Sequence, residues 1–268
     1  MIVDGKAIAE DMYQALALRR ARYTQPVKLG IVVVGANPVI ESFVRIKTRA
    51  AERLNIEMVR VDLPEESATE FIVGEIQRLV DRADAVIVQL PQPKHVNIEV
   101  TLAAVPKEKD VDATNPTFSE GERLVQAPVA LAIVEILTRS RVTIKGAKTV
   151  VVGGGRLVGK PAAALLKSLG AHVSMFTLQQ GSIRDLKDAD IIVLGTGNPG
   201  FIKPEHIRLG VALVDAGTAE MNKKVVGDAD PACALKASVF TPVPGGVGPV
   251  AVAMIFRNLF DLLEKNGK

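Results

Sequence analysis

The chain has no tryptophan, one cysteine, two tyrosines and three histidines in 268 residues. A single cysteine excludes an intramolecular disulfide and fits a reducing compartment. Charge of one sign is also scarce in excess. Lysine and arginine total 33 against 30 acids, a formal net charge of +3, and the positives are scattered. Electrostatic capture of nucleic acid or of an anionic membrane is therefore not expected, although the pI is near 8.9. Long apolar runs are missing as well: the most apolar stretches, 30–36 and 190–195, are far too short to cross a bilayer. The opening Met1-Ile2-Val3-Asp4-Gly5-Lys6 lacks the apolar core and small-residue cleavage site of a secretory signal. These absences lead to the expectation of a soluble cytoplasmic protein. What is present is a composition 48% hydrophobic and 24% charged, which argues against disorder and leaves ample material for a core.

Short β-branched runs alternate with longer helical patterns almost from end to end. The expected strands are 28–34, 57–63, 85–89, 149–152, 172–176, 191–194, 212–215 and 237–240. Ile31-Val32-Val33-Val34 has no polar alternation, as in a parallel strand covered on both faces. Helices are expected over 38–54, 69–81, 128–138, 161–169 and 250–265. The alternation predicts an α/β fold with right-handed crossovers. Residues 106–128 carry Pro, Asn, Ser and Gly with little periodicity and read as a crossing segment. The expected architecture is two α/β lobes around a cleft.

Val152-Gly153-Gly154-Gly155-Arg156-Leu157-Val158-Gly159-Lys160-Pro161 follows a strand and opens a helix. Its Gly153, Gly155, Gly159 spacing is one residue longer than the usual dinucleotide fingerprint, with the same physics. Glycines permit the tight turn and let backbone N–H groups approach a pyrophosphate at a helix N-terminus. The other reading is a connection chosen only for its turn geometry. The strand–turn–helix context favours a nucleotide and makes the second lobe Rossmann-like. After the next strand, Phe176-Thr177 brings no acid where a ribose-binding carboxylate is expected. Gln179 and Gln180 bring no positive charge for a 2′-phosphate, whereas Arg156 and Lys160 offer one.

On the 38–54 helix, Phe43, Lys47, Ala50, Ala51 and Leu54 share one face. Two readings fit Lys47. Either desolvation lowers its pKa and makes it a proton carrier, or its stem packs while the ammonium reaches water. Arg45 and Arg49 read as solvated. Val88-Gln89-Leu90-Pro91-Gln92-Pro93 leaves the C-terminal end of a buried strand, where open α/β sheets place ligands. Gln89 there either orients a lysine or substrate amide, or satisfies backbone groups of the turn. Asp110 and Asp112 in Lys109-Asp110-Val111-Asp112 are open to a turn role. Thr241-Pro242-Val243-Pro244-Gly245-Gly246-Val247-Gly248-Pro249, with Gly or Pro at six of its nine positions, reads as a shaped, nearly rigid wall that brings backbone close to a flat ligand.

Together these strings resemble the methylenetetrahydrofolate dehydrogenase/methenyltetrahydrofolate cyclohydrolase family over essentially the whole chain. Ser42-Phe43-Val44-Arg45-Ile46-Lys47 is similar to its Y-V-x-x-K helix, and residues 88–93 to its V-Q-L-P-L-P loop. Lys109-Asp110-Val111-Asp112 resembles its K-D-V-D-G segment, residues 151–161 resemble its cofactor turn, and residues 241–249 are identical to T-P-V-P-G-G-V-G-P. The resemblance implies a folate-binding catalytic domain of residues 1–127 with a C-terminal helix, 249–268, returning to it, and an NAD(P)-binding domain of residues 128–248. It implies NADP as cofactor, with NAD not excluded, a tetrahydrofolate derivative as substrate, a homodimer, and no metal, nucleic acid or membrane partner. It implies Lys47 as general acid/base of cyclohydrolysis, Gln89 as its orienting partner and Asp112 as the carboxylate that fixes the pterin. Phe43, Val44, Leu90, Pro91, Pro244, Gly245 and Gly246 are implied at the substrate, with the loop around Gly245 closing over folate and nicotinamide. Gly153, Gly154, Gly155, Arg156, Val158, Gly159, Thr196, Gly197 and Thr218 are implied at the cofactor.

The chain departs from the family pattern at several points. Phe43 stands in place of Tyr, keeping the stacking surface and losing the hydroxyl. Gly154 and Gly155 replace an Arg-Ser pair and Thr177-Leu178 a His-Ser pair, side chains that in the family help hold the 2′-phosphate; Arg156 is the nearest substitute. Ala113 replaces Gly, Gln126-Ala127-Pro128 replaces P-C-T-P, and Ala251 replaces Thr, which suggests altered substrate-pocket edges. The resemblance implies both activities. The alternatives are a monofunctional dehydrogenase and a non-catalytic dinucleotide- or folate-binding regulator.

Overall fold

Four β-branched residues in a row end strand β1 (Lys28–Val34), which is buried at six of its seven positions. In the computed structural model, which describes residues 1–268 apart from 36, 178, 222 and 223, β1 pairs in parallel with β2 (Glu57–Leu63) on one side and β3 (Ala85–Val88) on the other. The crossover helices are α2 (Pro38–Arg53) and α3 (Thr69–Arg82). Ile72, Ile76 and Leu79 of α3 join Val32, Val34 and Val86 in one buried cluster, each such side chain contributing about 1.5–3 kcal/mol on leaving water. Residues 109–111 extend this sheet: Val86 N–H donates to Lys109 O at 2.8 Å, and Asp110 bridges in parallel to Val86.

The second sheet holds β4 (Lys148–Val152), β5 (His172–Phe176), β6 (Ile191–Leu194), β7 (Ala212–Asp215) and β10 (Val239–Phe240), in the order β10-β7-β6-β4-β5, with every pair parallel. Helix α6 (Gly159–Ser168) connects β4 to β5 and packs on α5 (Pro128–Arg139). The expected α/β class with parallel sheets is what the chain adopts. By contacts it divides into residues Met1–Asp11 with Ala127–Met254, and Met12–Gln126 with Ile255–Lys268. The opening residues fall with the five-stranded sheet because Val3 N–H donates to Phe240 O at 2.8 Å and Phe240 N–H to Met1 O at 3.0 Å. At the other end, Asn258 donates to Val111 O and Gln126 O at 2.9 and 2.8 Å, and Phe260 stacks on Tyr23. The later part of α7 (Val247–Lys265) thus returns to the unit of the three-stranded sheet.

Some elements were not anticipated. Helix α1 (Gly5–Arg20) buries Ala9, Met12 and Leu16, a helical spacing masked by small residues and charges. Helix α4 (Ile98–Ala103) begins at Asn97, whose side chain accepts from Val100 N–H. An antiparallel pair, β8 (Ala219–Met221) and β9 (Lys224–Val226), is too short to show alternation. Helix α7 starts at Val247, three residues before the expected point. Pro249 sits in its first turn, where its missing N–H costs no bond; the Gly/Pro-rich wall is accordingly shorter than its string. Among the described residues no helix is long and apolar enough to cross a membrane. Cys233 is buried with its thiol pushed up to about 11 by burial.

Candidate active site

Each sheet reverses its winding beside its first strand, and such a switch point opens a crevice at the C-terminal strand ends. In the three-stranded sheet it lies between β1 and β3. Gln89 follows β3 there, its N–H donating to Val32 O at 2.9 Å. Its amide is pinned because Nε2 donates to Leu90 O at 2.6 Å. That bond leaves Oε1 to accept from Lys47 Nζ at 2.8 Å.

Helix α2 presents Lys47 at the rim of a buried seam. Ala50, Ala51 and Leu54 are buried as expected, but Phe43 is 40% exposed, so the apolar face ends at the lysine instead of continuing past it. Of the two readings of Lys47, the geometry supports the enclosed one: the ammonium meets an amide oxygen. Burial pulls Lys47 below the ordinary lysine range, with the charge of Asp112 opposing. Burial pushes Asp112 above the ordinary carboxylate range, with Lys47 opposing. Burial thus disfavours the charged form of each, and the opposite charge of the other partly offsets it.

Asp112 reaches this place because residues 109–111 lie along β3 and the chain then turns sharply. Ala113 takes a left-handed φ of 53°, where the resemblance expects glycine. Asp110 clamps the turn, accepting Asn115 N–H at 2.8 Å, and burial pushes its carboxyl up to about 6. Lys47, Gln89 and Asp112 thus converge from a helix, a strand end and a loop. Of the other substrate candidates in this unit, Phe43 is exposed, Leu90 half-buried and Pro91 exposed beyond a cis peptide bond. Val44, at 1% exposure, packs its side chain in the core.

In the other unit the switch point falls between β4 and β6, and the glycine turn occupies it. A Cβ on Gly159 would lie 1.9 Å from Gly153 O, and one on Gly153, at φ 99°, would lie 2.6 Å from Gly195 O. Backbone therefore closes directly on backbone, a cradle that any side chain would fill and that fits a pyrophosphate. The essential pair is Gly153 and Gly159, with Gly195 as third partner, whereas Gly155 has room around it. Gly195 escaped notice because it is distant in sequence. Thr196 and Gly197 follow it, and a Cβ on Gly197 would lie 3.8 Å from Thr218 O, so these candidates gather with the turn. Gly154 faces Thr177, whose hydroxyl accepts Gln179 N–H at 3.2 Å; Leu178 lies outside the described residues. Arg156 and Val158 are half-buried on the turn itself. Pro244, Gly245 and Gly246 belong to this same unit, where Gly245 O accepts Gly5 N–H at 2.9 Å. Sequence reasoning also passed over Asp215 and Asp228, which are buried beneath these loops. Among the described residues no group of three or more His, Cys, Asp or Glu is arranged to hold a metal ion.

A parallel sheet with a dinucleotide-type turn at its switch point, in one chain with a second parallel sheet that carries a lysine–glutamine–aspartate cluster, defines a class: an α/β protein with a dinucleotide-type domain and a second α/β domain. Residues 3–112 match the tetrahydrofolate dehydrogenase/cyclohydrolase catalytic domain and residues 127–267 the NAD(P)-binding domain of the same name. The chain belongs to the tetrahydrofolate dehydrogenase/cyclohydrolase family. It is 35% identical over 271 residues to the bifunctional protein FolD of Methanospirillum hungatei, covering 98% of this chain and 97% of that one. Among solved structures it is similar to the bifunctional FolD of Campylobacter jejuni, with a TM-score of 0.92 at 27% identity over 99% of each chain. It is similar also to the Trypanosoma brucei FolD complexed with NADP cofactor and inhibitor, with a TM-score of 0.92 at 29% identity over 100% of this chain and 98% of that one.

Proposed function

We propose that the chain is a bifunctional folate enzyme, catalysing NAD(P)-dependent oxidation of 5,10-methylenetetrahydrofolate to the methenyl form and hydrolysis of that product to 10-formyltetrahydrofolate. Family membership over both domains supports the pairing of activities. The observation that carries the hydrolytic half is the 2.8 Å contact from Lys47 Nζ to an amide oxygen whose orientation is fixed by its neighbour.

The dinucleotide, when bound, accepts the hydride in the first reaction. The chain's own contribution there is positioning: the closed backbone of Gly153 and Gly159 leaves room for a pyrophosphate, and Arg156 supplies positive charge beside it. In the second reaction water adds to the methenyl carbon and must lose a proton. Lys47 Nζ takes that proton, its neutral form being made accessible by desolvation, and returns it to N5 of the pterin as the bond from N5 to that carbon breaks and the formyl group stays on N10. Gln89 holds Nζ in place, and Asp112 lies close enough to restrain the lysine's loss of charge and holds the pterin. Phe43 gives the substrate an exposed aromatic face. In this role the protein works in the cytoplasm as a homodimer, supplying a formyl donor of the kind used in purine biosynthesis.

The test is turnover. Mixed with methylenetetrahydrofolate and NADP or NAD, the chain reduces the dinucleotide. Given the methenyl compound alone, it accelerates hydrolysis. Reduction of neither dinucleotide refutes the dehydrogenase half.

A further inference from the structure

Two carboxylates in the glycine-turn unit take no part in the chemistry above. Asp215 ends β7 and Asp228 follows β9, and they are 2% and 0% exposed. Burying a carboxylate is costly unless hydrogen bonds replace its water, so their bonds identify what the fold gains. Asp215 accepts Gly217 N–H at 2.9 Å and Ala229 N–H at 2.8 Å, and its own N–H donates to Thr241 Oγ1 at 2.6 Å. Asp228 Oδ2 accepts Thr196 N–H at 2.6 Å, while its buried Oδ1 has no hydrogen-bond partner among the described residues. The two side chains thereby tie together the loops that follow β6, β7 and β9, and the backbone N–H of Asp215 adds the one that follows β10.

The surroundings are shaped to keep them there. A Cβ on Gly217 would lie 2.2 Å from the Asp228 carboxyl carbon, and one on Gly227 would lie 2.2 Å from Asp215 Oδ2. A half-satisfied buried carboxylate is poor design for stability alone, and such local violations concentrate at functional sites. Among the described residues, the hydrogen bond that the Asp228 side chain accepts comes from the loop that closes on Gly153.

We propose that Asp228, braced by Asp215, is a positioning residue for the dinucleotide, holding Thr196 N–H and so setting residues 195–197 against the glycine turn. Fully buried, it touches no ligand and acts only through that loop. This role rests on the unit taking an NAD(P) dinucleotide. What matters is an acceptor for Thr196 N–H, so an amide at this position serves where a methyl group does not.

The experiment titrates NADPH and NADH, by their fluorescence, into the full chain without folate. In parallel it measures hydrolysis of methenyltetrahydrofolate, which needs no dinucleotide. Asp228→Ala weakens binding at least about tenfold, the scale of losing a charge-assisted bond, and hydrolysis stays within about twofold. Asp228→Asn restores binding to within about threefold of the parent. Unchanged binding in Asp228→Ala overturns the proposal alone; failure of the parent chain to bind either dinucleotide overturns the underlying assignment with it. If Asp228→Ala also loses hydrolysis, Gly217→Ala is the second variant, since its Cβ displaces the same carboxyl without altering its chemistry. Weaker binding with hydrolysis retained supports the role, and unchanged binding refutes it.

Discussion

Lys47→Met removes one nitrogen and keeps nearly the whole stem. Its effect on stability is the difference of two opposed terms. Gln89 Oε1, now buried without its donor, costs about 1–3 kcal/mol. Against this, the fold no longer desolvates an ammonium, a gain of similar order. The melting temperature therefore stays within a few degrees, and a loss of hydrolysis is not attributable to unfolding. On the reaction the terms do not cancel. A positioned general base contributes roughly 10²–10⁴-fold, or about 2.7–5.4 kcal/mol of barrier, and methionine has no proton to exchange. Hydrolysis of methenyltetrahydrofolate, followed by the decay of its absorbance and corrected for the spontaneous rate, falls at least about a hundredfold. Dinucleotide binding, which belongs to the other unit, is unchanged.

The pH profile makes the test sharper. Burial holds Lys47 below the ordinary lysine range, so its neutral fraction grows as pH rises and hydrolysis climbs with it. Lys47→Met abolishes that limb. Gln89→Glu places a negative charge against Nζ, favours the ammonium and moves the limb to higher pH. Hydrolysis by Lys47→Met within about tenfold of the parent rate, below the least expected of a general base, refutes the assignment. So does a limb that persists in that variant.

The glycine turn and its surroundings make further predictions. Gly159→Ala drives a methyl group into Gly153 O, 1.9 Å away, and abolishes dinucleotide binding by fluorescence titration while methenyl hydrolysis survives; retained binding means the turn is not the pyrophosphate cradle. Arg156→Ala lowers kcat/KM for NADP by about tenfold, the value of a hydrogen bond to a charged group, and spares NAD; equal losses with the two cofactors remove Arg156 from the 2′-phosphate. Asp110, raised to about 6, binds its proton more tightly folded than unfolded, so it is neutral in the fold between pH 4 and 6 and charged above. Its contribution to stability falls as pH rises through that window, by about 3 kcal/mol for a shift of about two units. Asp110→Asn keeps the acceptor for Asn115 N–H and loses this dependence: relative to the parent it gains stability in urea from pH 4.5 to 7, and parallel curves refute the shift.

The two centres were legible in the sequence to different depths, for physical reasons that individual residues make plain. Strand β1 announces itself because a parallel strand buried on both faces needs unbroken apolar residues, and Ile31-Val32-Val33-Val34 provides them locally. The glycine turn is local too, since strand, turn and helix are consecutive. Lys47 was only half legible: a lysine at the edge of an apolar stripe looks the same whether its ammonium reaches water or a partner. The partner, Gln89, lies 42 positions away, and only the crossover of β3 beside β1 brings them together. Asp215 and Asp228 were invisible for the same reason in stronger form. Asp215 ends an expected strand and Asp228 lies in a short Gly-Asp-Ala-Asp string, and the bonds defining them run to Gly217, Thr241, Ala229 and Thr196. A carboxylate's role in a turn is set by which N–H groups arrive beside it, and here two of the three, from Ala229 and Thr196, arrive from 14 and 32 positions away. Val44 illustrates the reverse. A place inside a recognisable string suggested ligand contact, yet helical geometry turns it into the core while its neighbour Phe43 faces outward. Spacing along a helix, and not membership of a motif, decides which side chains of such a string face outward.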